Sequence, residues 1–198
     1  MTGEVRQLIP PQLTLPPEAL IPHPEHFRTR SHLHGQDHVA RVMVHAFRLL
    51  TATGHDHLVA SLWGAVYLHD LERRHDDVCR EHGRWAWERF ERDERLQEHL
   101  SSGGVTPDDW PAIKTAVTAH SQSREVPADH PHRTLTALLK DADALDRVRI
   151  HDLDVRYLRL PAARTMQRFA QALFDRTCHL THGPDLFARV LEEAGALM

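Results

Sequence analysis

The apolar residues of this chain recur at steps of three and four, the spacing that places side chains on one face of an α-helix. The clearest stripe begins near residue 36 and consists of Val39, Val42, Met43, Ala46, Leu49 and Leu50. Residues 57–71 are apolar on nearly every side, which is typical of a helix buried at the centre of a bundle. Further helices are predicted over 84–100, from Pro107 onwards, over 133–149, over 161–179 and over 184–196. Because no segment alternates apolar and polar residues convincingly, the sequence predicts an all-α fold of roughly six to eight helices.

The first 24 residues have a different composition, because they contain six of the 12 prolines. Proline removes a backbone donor and breaks helices, so residues 1–24 are predicted to form a proline-rich N-terminal arm. The chain has 198 residues, which suits one ordinary domain. The predicted organisation is therefore the arm followed by a single helical domain over residues 25–198.

Charge and cysteine content exclude several classes of protein. Lys and Arg total 24 and Asp and Glu total 28, and this net charge of −4 argues against binding to a nucleic-acid polymer. No apolar run reaches the roughly 18 residues that span a bilayer, so no membrane partner is expected. Cys79 and Cys178 lie far apart and outside any CxxC pattern, which excludes a thiolate zinc site. Together with an N-terminus that lacks the pattern of a secretory signal, they favour the cytoplasm. The sequence leaves a homo-oligomer open.

The chain contains 18 histidines, and some of them combine with acidic residues in short motifs. Imidazoles and carboxylates bind divalent first-row transition metals well, and such an ion activates water for hydrolysis. A single such ion (Mn, Fe, Co, Ni or Zn) is predicted, in preference to two. Its candidate ligands are His38, His69, Asp70 and Asp143. His69 and Asp70 are adjacent, so they can reach one ion only where their helix ends and the backbone turns.

The motifs resemble those of a known family. The chain contains HGxxHxxRV from His34, HDxxRxxD from His69, HG at His82 and KDADALDR from Lys140. In this order they are similar to the motifs of the HD-domain metal-dependent phosphohydrolases, and the similarity extends from about His34 to Arg149. The resemblance implies a single-domain helical bundle of the HD-domain type with the site between helices. It also implies that the four candidate ligands named above are the metal ligands, and that the substrate is a phosphate ester, most often of a nucleotide.

Other polar residues near these motifs are candidates for catalysis or for phosphate binding. The predicted catalytic residues are Asp70, Arg73, Glu72 and Asp77. The predicted substrate contacts are His34, Arg73, His82, His120, Lys140 and Arg147. Several alternatives stay open, because His120 also fits a satisfied core histidine and the pair His82 and His120 also fits a second metal. Arg73 also fits a surface salt bridge, and Glu72 and Asp77 also fit a solvated acidic turn.

The sequence thus predicts a metal-dependent phosphohydrolase whose substrate is a small phosphate ester, most simply a nucleotide. An alarmone or pyrophosphate hydrolase is the alternative among enzymes. A non-catalytic regulatory module that binds a nucleotide and keeps the metal for structure is the alternative from another class.

Overall fold

The computed structural model describes residues 8–31 and 33–198, and these residues form ten α-helices and no β-strand. The helices are α1 (Pro17–Leu20), α2 (Gln36–Thr53), α3 (Val59–Leu68), α4 (His82–Phe90), α5 (Glu94–Ser102), α6 (Trp110–His120), α7 (Arg133–Leu145), α8 (Pro161–Thr165), α9 (Gln167–Thr177) and α10 (Leu186–Gly195). The all-α prediction is therefore confirmed for the described residues. Short 3₁₀ turns precede α3 and α6, and another, Asp146–Ile150, continues α7.

The number of helices exceeds the prediction mainly because two predicted helices are each divided in two. The segment predicted as 84–100 forms α4 and α5, and the break falls at residues 91–93. Asp93 caps the second of these helices, since its side chain accepts a hydrogen bond from the backbone N–H of Leu96. The segment predicted as 161–179 forms α8 and α9, which meet at Met166.

The core is built around α3, which packs against α2, α6 and α7. Nine of its ten residues are buried, as the all-round apolar sequence predicts. α2 ends at Thr53 and is capped by Gly54, whose φ of 68° is a left-handed conformation that costs glycine little. α10 covers the outer side of α2. Within the part of the chain that the structure describes, none of the helices combines the length and apolarity needed to cross a membrane.

The described part of the proline-rich segment lies against this core. Leu13 and Leu20 are buried, and the indole N–H of Trp63 donates a hydrogen bond of 2.8 Å to the carbonyl of Leu20. The first seven residues of the predicted arm lie outside the described residues. The division of the chain at residue 24 stays a prediction.

Candidate metal centre

Five helix ends converge on one buried cluster of histidines and aspartates. His38 lies in the first turn of α2, and His69 and Asp70 directly follow α3. His82 is the first residue of α4, and His120 is the last residue of α6. Asp143 lies in the last turn of α7. Helix ends leave backbone groups free to turn, so residues far apart in the sequence can point into one space.

The turn after α3 brings His69 and Asp70 to the same side. The helix ends at Leu68, and the backbone N–H of Leu71 then bonds to the carbonyl of Leu68 in a tight turn. Asp70 Oδ2 consequently lies 3.7 Å from His69 Nε2. Two adjacent residues could not share one ligand site within a regular helix.

The cluster contains two groups of three residues whose ligand atoms lie close enough to hold a metal ion. The first group is His38, His69 and Asp143, and the second is Asp70, His82 and His120. In the first group, His38 Nε2 lies 3.4 Å from His69 Nε2 and 3.4 Å from Asp143 Oδ1. Ligand-metal bonds of about 2 Å require donor atoms at this kind of spacing.

Asp70 belongs to the second group and also reaches the first. Its Oδ2 is 3.4 Å from His38 Nε2, in the first group. Its Oδ1 is 3.0 Å from His82 Nε2 and 3.8 Å from His120 Nε2, in the second. The carboxylate can therefore offer one oxygen to each group.

The second group depends on a close approach of α4 and α6. His82 Nε2 and His120 Nε2 are 2.8 Å apart. Gly83 lies at this crossing, where a Cβ atom would overlap the carbonyl oxygen of Val117 and lie 3.1 Å from the His120 ring. The glycine of the HG motif is needed because no other residue fits between the helices.

The four histidines share one arrangement that fits metal ligation. Each Nδ1 atom is held by an oxygen acceptor: Asp146 Oδ2 for His38 (2.8 Å), Val66 O for His69 (2.7 Å), Val117 O for His120 (2.6 Å) and Cys79 O for His82. A carbonyl oxygen only accepts, so Nδ1 carries the hydrogen and Nε2 keeps the lone pair. All four Nε2 atoms face the cluster. Lone pairs this close together repel one another unless a cation lies between them, and outer hydrogen bonds of this kind orient metal ligands.

The charges of the cluster also favour a cation. Burial by itself would lower the pKa of His38, but hydrogen bonds to the three carboxylates around it raise that pKa to about 10. Without a cation this ring therefore carries a proton on Nε2 as well, and a metal ion bound there would take the place of that proton. Burial would likewise raise the pKa of Asp70, but the surrounding imidazoles hold it well below its usual range. Burial lowers the pKa of His69 to about 4, so this ring is neutral near pH 7. Among the described residues, Asp143 forms its only ion pair with His38.

Asp146 and Arg41 support the cluster from behind, and sequence reasoning gave neither of them a role at the centre. Asp146 is fully buried, and Arg41 Nε donates to its Oδ1 at 2.6 Å while His38 occupies its Oδ2. Arg149 adds a second cation, 3.6 Å from the same carboxylate. The spacing held a usable signal, because Arg41 follows His38 by three residues and Asp146 follows Asp143 by three.

A cleft of about 280 Å³ opens beside the cluster. The predicted site residues that line it are His34, Asp70, Arg73, Asp77, His82, His120, Asp143 and Arg147. Arg73 lies 3.8 Å from Asp70 Oδ1, donates to the carbonyl of Asp77 at 3.0 Å, and has a buried Nε atom without a partner among the described residues. A second pocket of about 340 Å³ adjoins the cleft and shares three of these residues with it.

Two predicted site residues are engaged elsewhere. Glu72 does not line the cleft, because its carboxylate pairs with Arg89 at 3.1 Å on another face. Lys140 lines the adjoining pocket, and its ammonium group donates to the carbonyl of Gln122 and pairs with Glu125 at 3.1 Å. Neither side chain is part of the histidine–aspartate cluster.

Comparison of the chain with known proteins adds no relative: no protein-family model, no curated protein and no solved structure matches it.

Proposed function

We propose that the protein is a phosphohydrolase of the HD-domain type that binds two divalent transition-metal ions, one in each group, with Asp70 shared between them. The observation that carries the proposal is the convergence of four Nε2 lone pairs, each fixed by a hydrogen bond at Nδ1. The order of the motifs in the sequence supports the assignment to this family. The four residues that the family resemblance implies as ligands of a single ion thus become part of a larger set, which includes His82 and His120.

The donor set fits ions of the manganese-to-zinc series, because it combines imidazole nitrogen with carboxylate oxygen and contains no thiolate. When bound, ions of this class lower the pKa of coordinated water and offset the negative charge of a phosphate. Residues of the chain would then bind the phosphate and transfer protons. Arg73 is suited to bind phosphate oxygens, because its guanidinium lines the cleft next to Asp70 and a guanidinium can donate two parallel hydrogen bonds to a phosphate.

The proposed reaction is hydrolysis of a phosphate monoester. A bond forms between the oxygen of water and phosphorus, the bond from phosphorus to the alcohol oxygen breaks, and the products are inorganic phosphate and the alcohol. One proton leaves the attacking water and one is gained by the alcohol oxygen. Asp77 is the proposed acid–base group, because its exposed carboxylate lines the cleft, whereas Glu72 lies outside it. The size of the cleft favours a small phosphate ester over a polymer, and the family resemblance favours a nucleotide.

The test is metal analysis of the purified protein together with phosphate release from a panel of phosphate esters, including nucleotides. We expect about two ions per chain and divalent-metal-dependent release of phosphate. His69→Ala and Asp70→Ala are expected to lose both properties while far-UV circular dichroism stays helical. The matched control is His57→Ala, which removes an exposed histidine from the turn before α3, at the opposite end of that helix from His69.

The outcomes separate the proposal from its alternatives. Full metal content in Asp70→Ala contradicts the proposal that Asp70 is a ligand of both ions. Bound metal without phosphate release from any ester supports the regulatory module, and activity confined to pyrophosphate bonds supports the alarmone or pyrophosphate hydrolase.

A further inference from the structure

The large apolar side chains that are exposed on this protein are gathered around the cleft. In the part of the chain that the structure describes, the exposed large hydrophobic residues are Leu33, Val78, Ile150, Tyr157 and Met198. The first three line the cleft beside the cluster, and Tyr157 lines the adjoining pocket. Scattered apolar residues on a surface are ordinary, but a gathering of them around one opening indicates a binding surface.

The three residues of this apolar rim come from separate parts of the chain. Leu33 precedes α2, Val78 lies in the segment before α4, and Ile150 ends the 3₁₀ turn after α7. Val78 is 85% exposed, so it contributes little to the core. Since the residues are distant in sequence and meet only at the cleft, the local composition of one segment does not account for the rim.

The inner end of the cleft is of the opposite character. Its lining there includes the carboxylates of Asp70 and Asp143, the arginines Arg73 and Arg149, and His34, and Arg73 lies 3.8 Å from Asp70. A ligand that satisfies both regions has a charged group at one end and an apolar surface within a few bonds of it. A fully polar phosphate ester would leave the rim exposed to water, whereas an apolar surface on the ligand would cover it.

We propose that the substrate is a phosphate monoester whose alcohol portion presents an apolar face, and that this face packs against Leu33, Val78 and Ile150. The inference rests on the proposed phosphohydrolase function and specifies its substrate. The alcohol portion is the part that leaves after the bond from phosphorus to oxygen breaks, so the rim holds the leaving group. A cleft of about 280 Å³ accommodates a ring or a short branched chain at this position.

The test compares two primary alkyl esters that differ in the polarity of the alcohol, benzyl phosphate and glycerol 1-phosphate. We expect the parent protein to prefer benzyl phosphate by roughly tenfold in kcat/KM. Val78→Ser is expected to reduce this ratio about fivefold, because burial of apolar area supplies the preference. Val78→Leu, which keeps an apolar side chain, is expected to retain the ratio of the parent or to increase it. Met198→Ser is the matched control, since it removes an exposed apolar side chain that lines neither pocket.

A binding measurement keeps this test separate from the proposed function. Calorimetric titration of the metal-loaded protein with benzylphosphonate and with 2,3-dihydroxypropylphosphonate needs no turnover. Tighter binding of benzylphosphonate, reduced in Val78→Ser and retained in Met198→Ser, supports the apolar rim even if no ester is hydrolysed, and only the hydrolytic function then fails. Equal affinities in the parent overturn the rim proposal, whether or not phosphate is released. A ratio that falls in Tyr157→Ser but not in Val78→Ser also overturns it, because the leaving group then occupies the adjoining pocket.

Discussion

At the residue scale, side chains that lie outside the two metal-binding groups decide how the candidate metal ligands are oriented. Asp146 accepts a hydrogen bond from Nδ1 of His38 and is itself held by Arg41. This leaves His38 with Nε2 directed at the cluster, so a residue outside the metal groups fixes the tautomer of one inside them.

The first prediction concerns this support. In Asp146→Asn the amide keeps the size of the carboxylate but removes its charge from Arg41, and its oxygen and nitrogen can no longer accept from both neighbours. We expect metal affinity to fall by roughly 10–100-fold, with the helices retained. Competition with a chromophoric chelator measures the change. Asp152→Asn is the control, because it removes an exposed carboxylate that pairs with Arg147; equal affinity in the two variants would show that Asp146 has no positioning role.

The second prediction concerns His45, a fully buried histidine whose two ring nitrogens have no partner among the described residues. Burial lowers its pKa from 6.5 to about 4. Between pH 6.5 and about 4, His45 therefore binds a proton in the unfolded chain but stays neutral in the folded protein. The contribution of neutral His45 to stability is complete above pH 6.5 and is lost as the pH falls towards 4. The shift corresponds to about 3 kcal/mol of unfolding free energy.

Denaturant unfolding at several pH values tests the predicted pH dependence of stability that His45 contributes. The unfolding free energy of the parent should decline relative to His45→Leu between pH 6.5 and 4, and His45→Asn should remove the same dependence while keeping a polar side chain. Parallel curves for the parent and both variants would contradict the assignment.

At the element scale, periodicity predicted which segments are helical, and capping and packing decided where the helices stop. The segment 84–100 is predicted as one helix because its charged residues suit an exposed face. In the structure Asp93 caps the N-terminus of a second helix, α5, so the segment is divided in two. For the candidate site too, the sequence predicts one part and tertiary packing decides the other. The motifs predicted His38, His69, Asp70 and Asp143 as candidate ligands and left a second metal at His82 and His120 as an alternative. The grouping of Asp70 with His82 and His120 depends on how closely two helices cross, which a single sequence does not encode locally.

The third prediction tests that crossing. Gly83→Ala places a methyl group against the carbonyl of Val117, so α4 and α6 must separate and His82 must move from His120. We expect the protein to lose the ion proposed for Asp70, His82 and His120, and roughly 1–3 kcal/mol of stability. Gly195→Ala is the matched control, because nothing lies within 4 Å of a Cβ atom there and α10 gains a better helix former. Metal analysis and denaturant unfolding of both variants provide the measurements, and two retained ions in Gly83→Ala would contradict this account of the motif.

At the scale of the whole molecule, the cluster is the point at which α2, α3, α4, α6 and α7 are joined. The core beneath it is apolar and continuous, whereas the cluster itself consists of buried polar groups. Those groups stabilise the fold only when their charges and lone pairs are satisfied. Bound ions would therefore stabilise the bundle as a whole and not one helix.

The fourth prediction follows from that linkage. Removing metal with a chelator should lower the thermal midpoint by roughly 5–10 °C per ion, since saturation at 100 times Kd contributes about 2.7 kcal/mol. The midpoint of Asp70→Ala should not respond to the chelator. Calorimetry with and without chelator measures both, and an equal response of the parent and the variant would show that the stabilising ion binds elsewhere.

The distribution of the ligands along the chain also has a kinetic consequence. The ligands extend from His38 to Asp143, so the cluster is complete only when helices from most of the chain have docked. A contact that forms this late is absent from the folding transition state, and an ion bound there slows unfolding without accelerating folding. Bound metal would then lengthen the lifetime of the folded protein, and proteolysis that requires global opening would become slower together with unfolding.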